Sequence, residues 1–456
     1  MTAPTTLNSS ATELGTRAGA LVDDPGAEDG APVDEPGAGA SSPNEPEADA
    51  GALATDPGAE SGAAATEPGA EDGAPRDEPR ARTSALGTEP GAKPGAPVDD
   101  SPLLAQRRRA RRRRTALAVL TAALGLAFLL ALSVGRYSVP LNETARILAH
   151  QALDFVGLDG LFDLRPTWTR QELTVISMVR LPRSAMAVLA GGALSVAGAA
   201  LQALFRNPLV SPDVIGVSSA ASFGGVLAIA LGGGGVVLMG GSFAMGLAAA
   251  ALVMTLGRLR TSSPILTIVL GGIVVSAFFN ALVSLVTYLA DPYTTLPSIT
   301  FWLMGSLSAA TWTKLTLAVG PIGVGLVVIM ALRWRIDVLS LGDEDAKALG
   351  VNPGRLRWIL IAAVSLMTAA TVAACGVIGW VGLVIPHLVR LMLGPDHRTL
   401  IPASFLLGGT YLLLVDLLSR SMIETEVPVG ILTAILGAPF FVYLLVTQTR
   451  KENSDA

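Results

Sequence analysis

Apolar residues along this chain come in blocks, at 116–134, 185–205, 217–231, 236–256, 265–289, 315–332, 359–377, 401–418 and 431–446. Many approach the roughly 20 residues that a helix needs to cross a hydrocarbon core. A buried soluble core has no use for nine such blocks. A tenth, shorter helix within 379–394, broken by Pro386, is needed to bring successive basic loops to the same side. The pattern predicts an all-α, polytopic membrane helical bundle of about ten transmembrane helices, preceded by a disordered tail.

Composition supports this. Of 456 residues, 51% are hydrophobic and only 15% charged, against about 25% charged in a soluble domain. The net charge of −5 averages two unlike pieces. Residues 1–100 hold about 20 acids and 5 bases, so the remainder is basic by about 10 charges. Residues 1–106 are rich in Pro, Gly, Ala and acids and contain no aromatic residue. An acid–proline pair recurs about every eleven residues there, from Asp24 to Glu89. Pro and Gly break any helix and no apolar stripe repeats, so the segment cannot offset its ordering entropy by burial and is expected to be a disordered cytoplasmic tail.

Seven arginines in 107–114 precede the first apolar block and read as a basic juxtamembrane anchor that keeps the N-terminus inside. Ten crossings then place Arg206, Arg258, Arg333, Arg335, Arg355, Arg357 and Arg398 on the cytoplasmic side, with both termini cytoplasmic. The outside receives 291–297, which has no Lys or Arg, and the long loop 136–182, the natural surface for an external partner. Ala187, Gly191, Ser195, Ala199 and Ala203 recur every fourth position, a ridge suited to close helix packing.

The chain lacks G-x-x-x-x-G-K-[ST], so it has no P-loop for ATP. It has no H-E-x-x-H or C-x-x-C, and His150, His387 and His397 are too dispersed for a zinc triad, so neither catalytic residues nor a metal site are expected. Asp416 is the most notable acid within an apolar block. It reads either as a functional intramembrane carboxylate or as an interfacial acid bonded to Arg420 one turn on. Without a chain of buried acids, a proton-coupled carrier is disfavoured. A neutral, small-residue-rich bundle suits a bulky substrate, with energy supplied from elsewhere. In the cytoplasmic loop 333–357, Ser340 as cap, the acids Asp343, Glu344 and Asp345, and a closing Gly350 predict a short helix within 338–352. It presents Leu341, Ala348 and Leu349 as a partly apolar knob suited to docking a partner. The rivals are an ion-driven secondary transporter and a membrane scaffold displaying the acidic tail.

Several segments resemble the FecCD family of iron-chelate, haem and cobalamin permeases. They include Val179-Arg-Leu-Pro-Arg183, the run from Gly198 to Leu209 and Pro212-Asp-Val-Ile-Gly-Val-Ser-Ser219. Phe301-Trp-Leu-Met-Gly-Ser-Leu307, Leu339 to Val351, Gly379 to Arg390, Gly394 to Arg398, Val415 to Arg420 and Val427 to Phe440 continue the likeness. It covers about 115–448, the expected permease domain.

The resemblance implies a permease subunit of a binding-protein-dependent ABC importer in the cytoplasmic membrane. The expected cargo is ferric siderophore, with cobalamin, haem or molybdate as alternatives. It also implies a second permease subunit, two ATPase subunits that hold ATP and Mg, and an outer substrate-binding protein; the chain itself has no cofactor and is not an enzyme. Leu341, Gly342, Asp343, Glu344, Ala348, Leu349 and Gly350 would couple to the ATPase. Arg180, Arg183 and Arg420 would meet acids of the binding protein in exposed pairs. The fifth helix, starting at Pro264, would line the pathway, with Thr261, Ser262, Ser263, Asn280 and Ser284 as lining or gate residues.

Overall fold

The computed structural model describes residues 101–157, 167–258 and 264–455; the acidic 1–100 and Thr261, Ser262 and Ser263 lie outside the described residues. Among the described residues seven helices are long and apolar enough to cross a membrane: α1 (Ser101–Ser133), α4 (Leu181–Phe205), α6 (Gly235–Leu256), α7 (Pro264–Leu289), α9 (Trp312–Leu341), α11 (Pro353–Cys375) and α13 (His397–Ser419). Shorter apolar helices are α5 (Val217–Ala230), α12 (Val381–Leu393), which runs through Pro386, and the start of α14 (Val429–Asp455). These ten match the nine apolar blocks and the tenth helix expected within 379–394. The chain is a polytopic helical membrane protein.

Four short helices sit between them: α2 (Leu141–Val156), α3 (Arg170–Thr174), α8 (Thr295–Leu303) and α10 (Asp343–Ala348). Two boundaries differ from the sequence reading. α1 begins at Ser101, so 101–106 and the basic run are helical and continuous with the first span, not tail. The segment 136–182 contains α2, and α3 leads through a π-helical turn, Val175–Arg180, straight into α4. The second span therefore starts at Arg170, well before its apolar block. α2 is amphipathic, and its buried Ile147 packs with Val139 and Ile176.

α4 and α11 form the centre. The most apolar windows of those spans are 83% and 78% buried, against 17% for α1. Small residues explain why α4 can be so enclosed. A Cβ on Gly191 would overlap the Gly408 carbonyl of α13, and one on Gly408 would overlap Ser195. A Cβ on Gly198 would overlap the Gly382 carbonyl of α12. With little hydrophobic drive between helices in lipid, such backbone approach is what packing has to rely on.

Candidate functional site

Two regions of buried or clamped charge stand out, at opposite ends of the bundle. At the α10 end, α9 stops at Leu341 and the chain turns at Gly342, whose φ of 149° suits glycine. Gly342, not Ser340, is the N-cap of α10; Ser340 lies in the last turn of α9 with its Oγ 2.6 Å from the Asp337 carbonyl. The expected cap fails because α9 runs more than two turns past the apolar block and absorbs Ser340. Asp343, Glu344 and Asp345 fill the first turn of α10, favourable beside the open N–H groups. Gly350, at φ 78°, closes it, its N–H donating to the Lys347 carbonyl at 3.0 Å.

Ala346 anchors α10 in the core, while Leu341 and Leu349 are 64% and 54% exposed and Glu344 and Ala348 also face outward. The Asp343 carboxylate holds two arginines. Arg206, in the left-handed C-cap of α4, lies at 2.6 Å, and Arg357, in the first turns of α11, at 2.5 Å. Burial works to raise the Asp343 carboxyl. The Arg357 hydrogen bond and charge, with Arg206, outweigh it and hold the group below the ordinary carboxylate value. One side chain thus ties the exposed knob to both central helices.

At the opposite end lie Arg180, Arg183 and Arg420. The sequence reading expects them exposed; they are 4%, 7% and 7% exposed and spend their donors inside the chain. Arg180 donates to the carbonyls of Leu132 at 2.6 Å and Ser133 at 3.0 Å, and also to Tyr137. Arg420 donates to the Ala131 carbonyl. Those of Ala131, Leu132 and Ser133 are carbonyls at the end of α1, which have no helical N–H to accept from, Tyr137 lies just beyond it, and a planar guanidinium can serve several at once. Arg183 reaches Asp416 through Nε, at 2.9 and 3.2 Å, and Glu426 through Nη2 at 2.9 Å. Asp416 is fully buried; Arg420 Nε lies 3.6 Å away, so the helical neighbour is the weaker partner and Arg183, 233 residues distant, the closer one. Burial works to raise Glu426; the hydrogen bond and charge of Arg183, with the charges of Arg136 and Arg420, together outweigh it and lower the group. Beside this network a cavity of about 760 Å³ is lined by Gly135, Arg136, Arg420 and Glu424.

Near this end, motif segments far apart in sequence meet. The Ser306 N–H donates to the Cys375 carbonyl at 2.8 Å, and Gly430 sits against Met304 so closely that a Cβ would overlap its carbonyl. Gly305 and Gly376 take positive φ there, as does Trp380 at 71°. The connections α8–α9 and α11–α12 and the start of α14 thus form one irregular knot, which no local pattern in the sequence announces.

On α7, Asn280 and Ser284 share an exposed face with Ile273 and Ala277. An exposed amide at mid-span is unfavourable against lipid, so this face suits water or another subunit. Thr261, Ser262 and Ser263 are outside the described residues, and nothing follows for them.

The profile of the FecCD transport family matches residues 123–447, most of the chain. The chain belongs to the FecCD transport family. It is 40% identical over 331 residues to the molybdate import system permease protein MolB of Haemophilus influenzae, covering 73% of this chain and 95% of that one. It is 39% identical over 279 residues to a probable iron chelatin transport system permease protein of Helicobacter pylori, covering 60% and 84%. A transporter assigned to the metal-chelate type of ABC transporter, solved in an inward-facing conformation, superposes with a TM-score of 0.63 at 39% identity, covering 73% of this chain and 98% of that one. This FecCD chain is thus an ABC transporter permease, a transport component and not a catalytic one.

Proposed function

We propose that this chain is the permease subunit of a binding-protein-dependent importer that carries a ferric siderophore, or a chemically related metal chelate, across the cytoplasmic membrane. The observation that carries the reading is α10: an exposed apolar knob locked by Asp343 to the two most enclosed helices, the arrangement needed to pass a push from a cytoplasmic ATPase into the bundle. Two ATPase subunits holding ATP and Mg would grip Leu341, Glu344, Ala348 and Leu349, while Gly342, Asp343 and Gly350 keep α10 in place. A second permease copy or sister chain would face α7, with Asn280 and Ser284 along the shared pathway. The substrate-binding protein would dock at the opposite end, over the cavity beside Arg420. There the buried arginines hold the surface in register, and Arg136, exposed at the rim, is the cation that an incoming acid meets first. Such rim charges steer encounter more than they add affinity.

The chelate reading draws on the relatives named for iron chelates and on the metal-chelate transporter; the molybdate relative makes that oxyanion the second candidate. The test is uptake of labelled ferric siderophore and labelled molybdate by cells carrying the chain with its partners. Uptake of the siderophore stops on ATP depletion or in Leu349→Asp, with the chain still in the membrane. Uptake that survives ATP depletion but collapses with an uncoupler would overturn the importer reading, and uptake of molybdate alone would reassign the cargo.

A further inference from the structure

A groove on the bundle surface carries an inference that does not depend on the transport reading. It is an open apolar channel of about 480 Å³ between α6, α9 and α11. On α9 its wall is Val324, Gly325 and Val328; on α11 it is Ile359, Ala362, Ala363 and Leu366, with Ser365 as the one polar side chain among the lining residues. Each wall is one helical stripe, with spacings of one, three, four and seven residues. Both stripes continue to the α10 end and finish in an arginine: Arg335 lies seven residues beyond Val328, and Arg355 four before Ile359. The two arginines line a second, smaller cavity of about 190 Å³ with Gly350 and Asn352, and Ile359 lines both. Among the described residues neither guanidinium has an acidic partner, and both side chains are exposed.

The dimensions decide what fits. From Arg335 to Val324, and from Arg355 to Leu366, is eleven residues, roughly 16 Å of helix rise. Half of a hydrocarbon core is roughly 15 Å. The aromatic markers agree on depth: Trp334 is exposed at this level, and Arg258 lies over the Trp358 ring at 5.8 Å, the residue types that gather where membrane meets water. A channel one leaflet deep, apolar but for Ser365 and ending at headgroup level in two unneutralised cations, is complementary to an acyl chain joined to an anionic head. We propose that Arg335, Arg355 and the α6/α9/α11 groove form a binding site for an anionic glycerophospholipid of the leaflet on the α10 side. The phosphate meets the two arginines and one acyl chain lies along Ile359 and Ala362. Because Gly350 and Asn352, which follow α10 directly, wall the head cavity, the lipid steadies the C-terminal side of that helix.

Native mass spectrometry of the full chain in detergent, titrated with phosphatidylglycerol, phosphatidylcholine or inorganic phosphate, tests this. The wild type retains phosphatidylglycerol over phosphatidylcholine. In R335Q/R355Q its affinity falls about thirtyfold, from two headgroup-level cations, whereas R333Q, an exposed arginine outside the groove, leaves it unchanged. A362W, which fills the channel without touching either cation, weakens binding of the lipid. The proposal is overturned if R335Q/R355Q keeps the preference, or if R333Q costs as much. It is overturned equally if A362W binds like the wild type, a sign of headgroup attraction alone, or if inorganic phosphate displaces the lipid, a sign of a free-anion site.

Discussion

Replacing Asp416 by Leu tests whether the buried charge network holds the end of the bundle opposite α10 together. In the wild type its carboxylate accepts from Arg183 Nε at 2.9 and 3.2 Å and faces Arg420 at 3.6 Å, in a place without solvent exposure. Arg183 and Arg420 face the acids Asp416 and Glu426 there, and the buried Arg180 adds a third positive charge held on carbonyls. Losing Asp416 strands buried positive charge, a change that costs about 3–5 kcal/mol in proteins where one partner of such a pair is removed. Asp416→Asn also removes the charge but keeps the shape and one acceptor for Arg183, so it loses less than Asp416→Leu. Removing both charges in Arg183→Leu/Asp416→Leu takes away the arginine that Asp416 holds most closely and recovers part of the loss, while Arg420 keeps its bond to the Ala131 carbonyl. Glu426 then loses its partner but, with its side chain 29% exposed, can turn to water. The assay is unfolding of wild type, Asp416→Leu, Arg183→Leu and the double variant in mixed detergent micelles, followed by tryptophan fluorescence and analysed as a double-mutant cycle, with Asp416→Asn measured beside them. An Asp416→Leu loss within about 0.5 kcal/mol of wild type, the usual range for surface changes, would refute the argument. So would a double variant as unstable as the sum of the singles.

Three further outcomes follow from single contacts. Asp343 is lowered by Arg357 and Arg206 against the opposing effect of burial. Its ion pairs are therefore fully present above the unfolded carboxylate value of about 3.9 and are lost as pH falls through the lower folded one. The carboxylate band in the infrared difference between wild type and Asp343→Asn should persist at pH 4, and its disappearance above that pH would contradict the geometry. Gly198→Val forces α4 off the Gly382 backbone and should lower stability by at least the roughly 1–3 kcal/mol typical of overpacking. Gly125→Ala on α1, where a Cβ meets nothing within 4 Å, should be neutral or gain up to about 1 kcal/mol; equal melting of the two variants would show that the helix contact is not tight. Asn280→Leu, at an exposed position of α7, should leave unfolding unchanged within about 0.5 kcal/mol and alter uptake. A large loss of stability with unaltered uptake would make Asn280 a packing residue.

The ten apolar helices were legible in the sequence because bilayer thickness sets block length, and the family likeness was legible because its motifs are contiguous. What escaped were contacts between residues far apart in the chain. Asp416 and Arg420 sit four residues apart on one helix, so their pairing could be read locally, yet the closer partner is Arg183. Arg183 falls at a loop edge when the second span is started at its apolar block; the span opens instead on the polar turn Arg170–Thr174, and Val175–Val179 is too short an apolar run to mark it. A signal was nonetheless present. An acid near the end of the ninth span and a basic start to the second fall on the same side of the membrane once the crossings are counted, and a carboxylate in that setting requires a cation within reach. Arg206 and Asp343, 137 residues apart, obey the same logic at the other end. Charge pairing in such a bundle is therefore a consequence of topology: the order of crossings limits each charged helix end to a few partners, and desolvation then selects the one that can be reached.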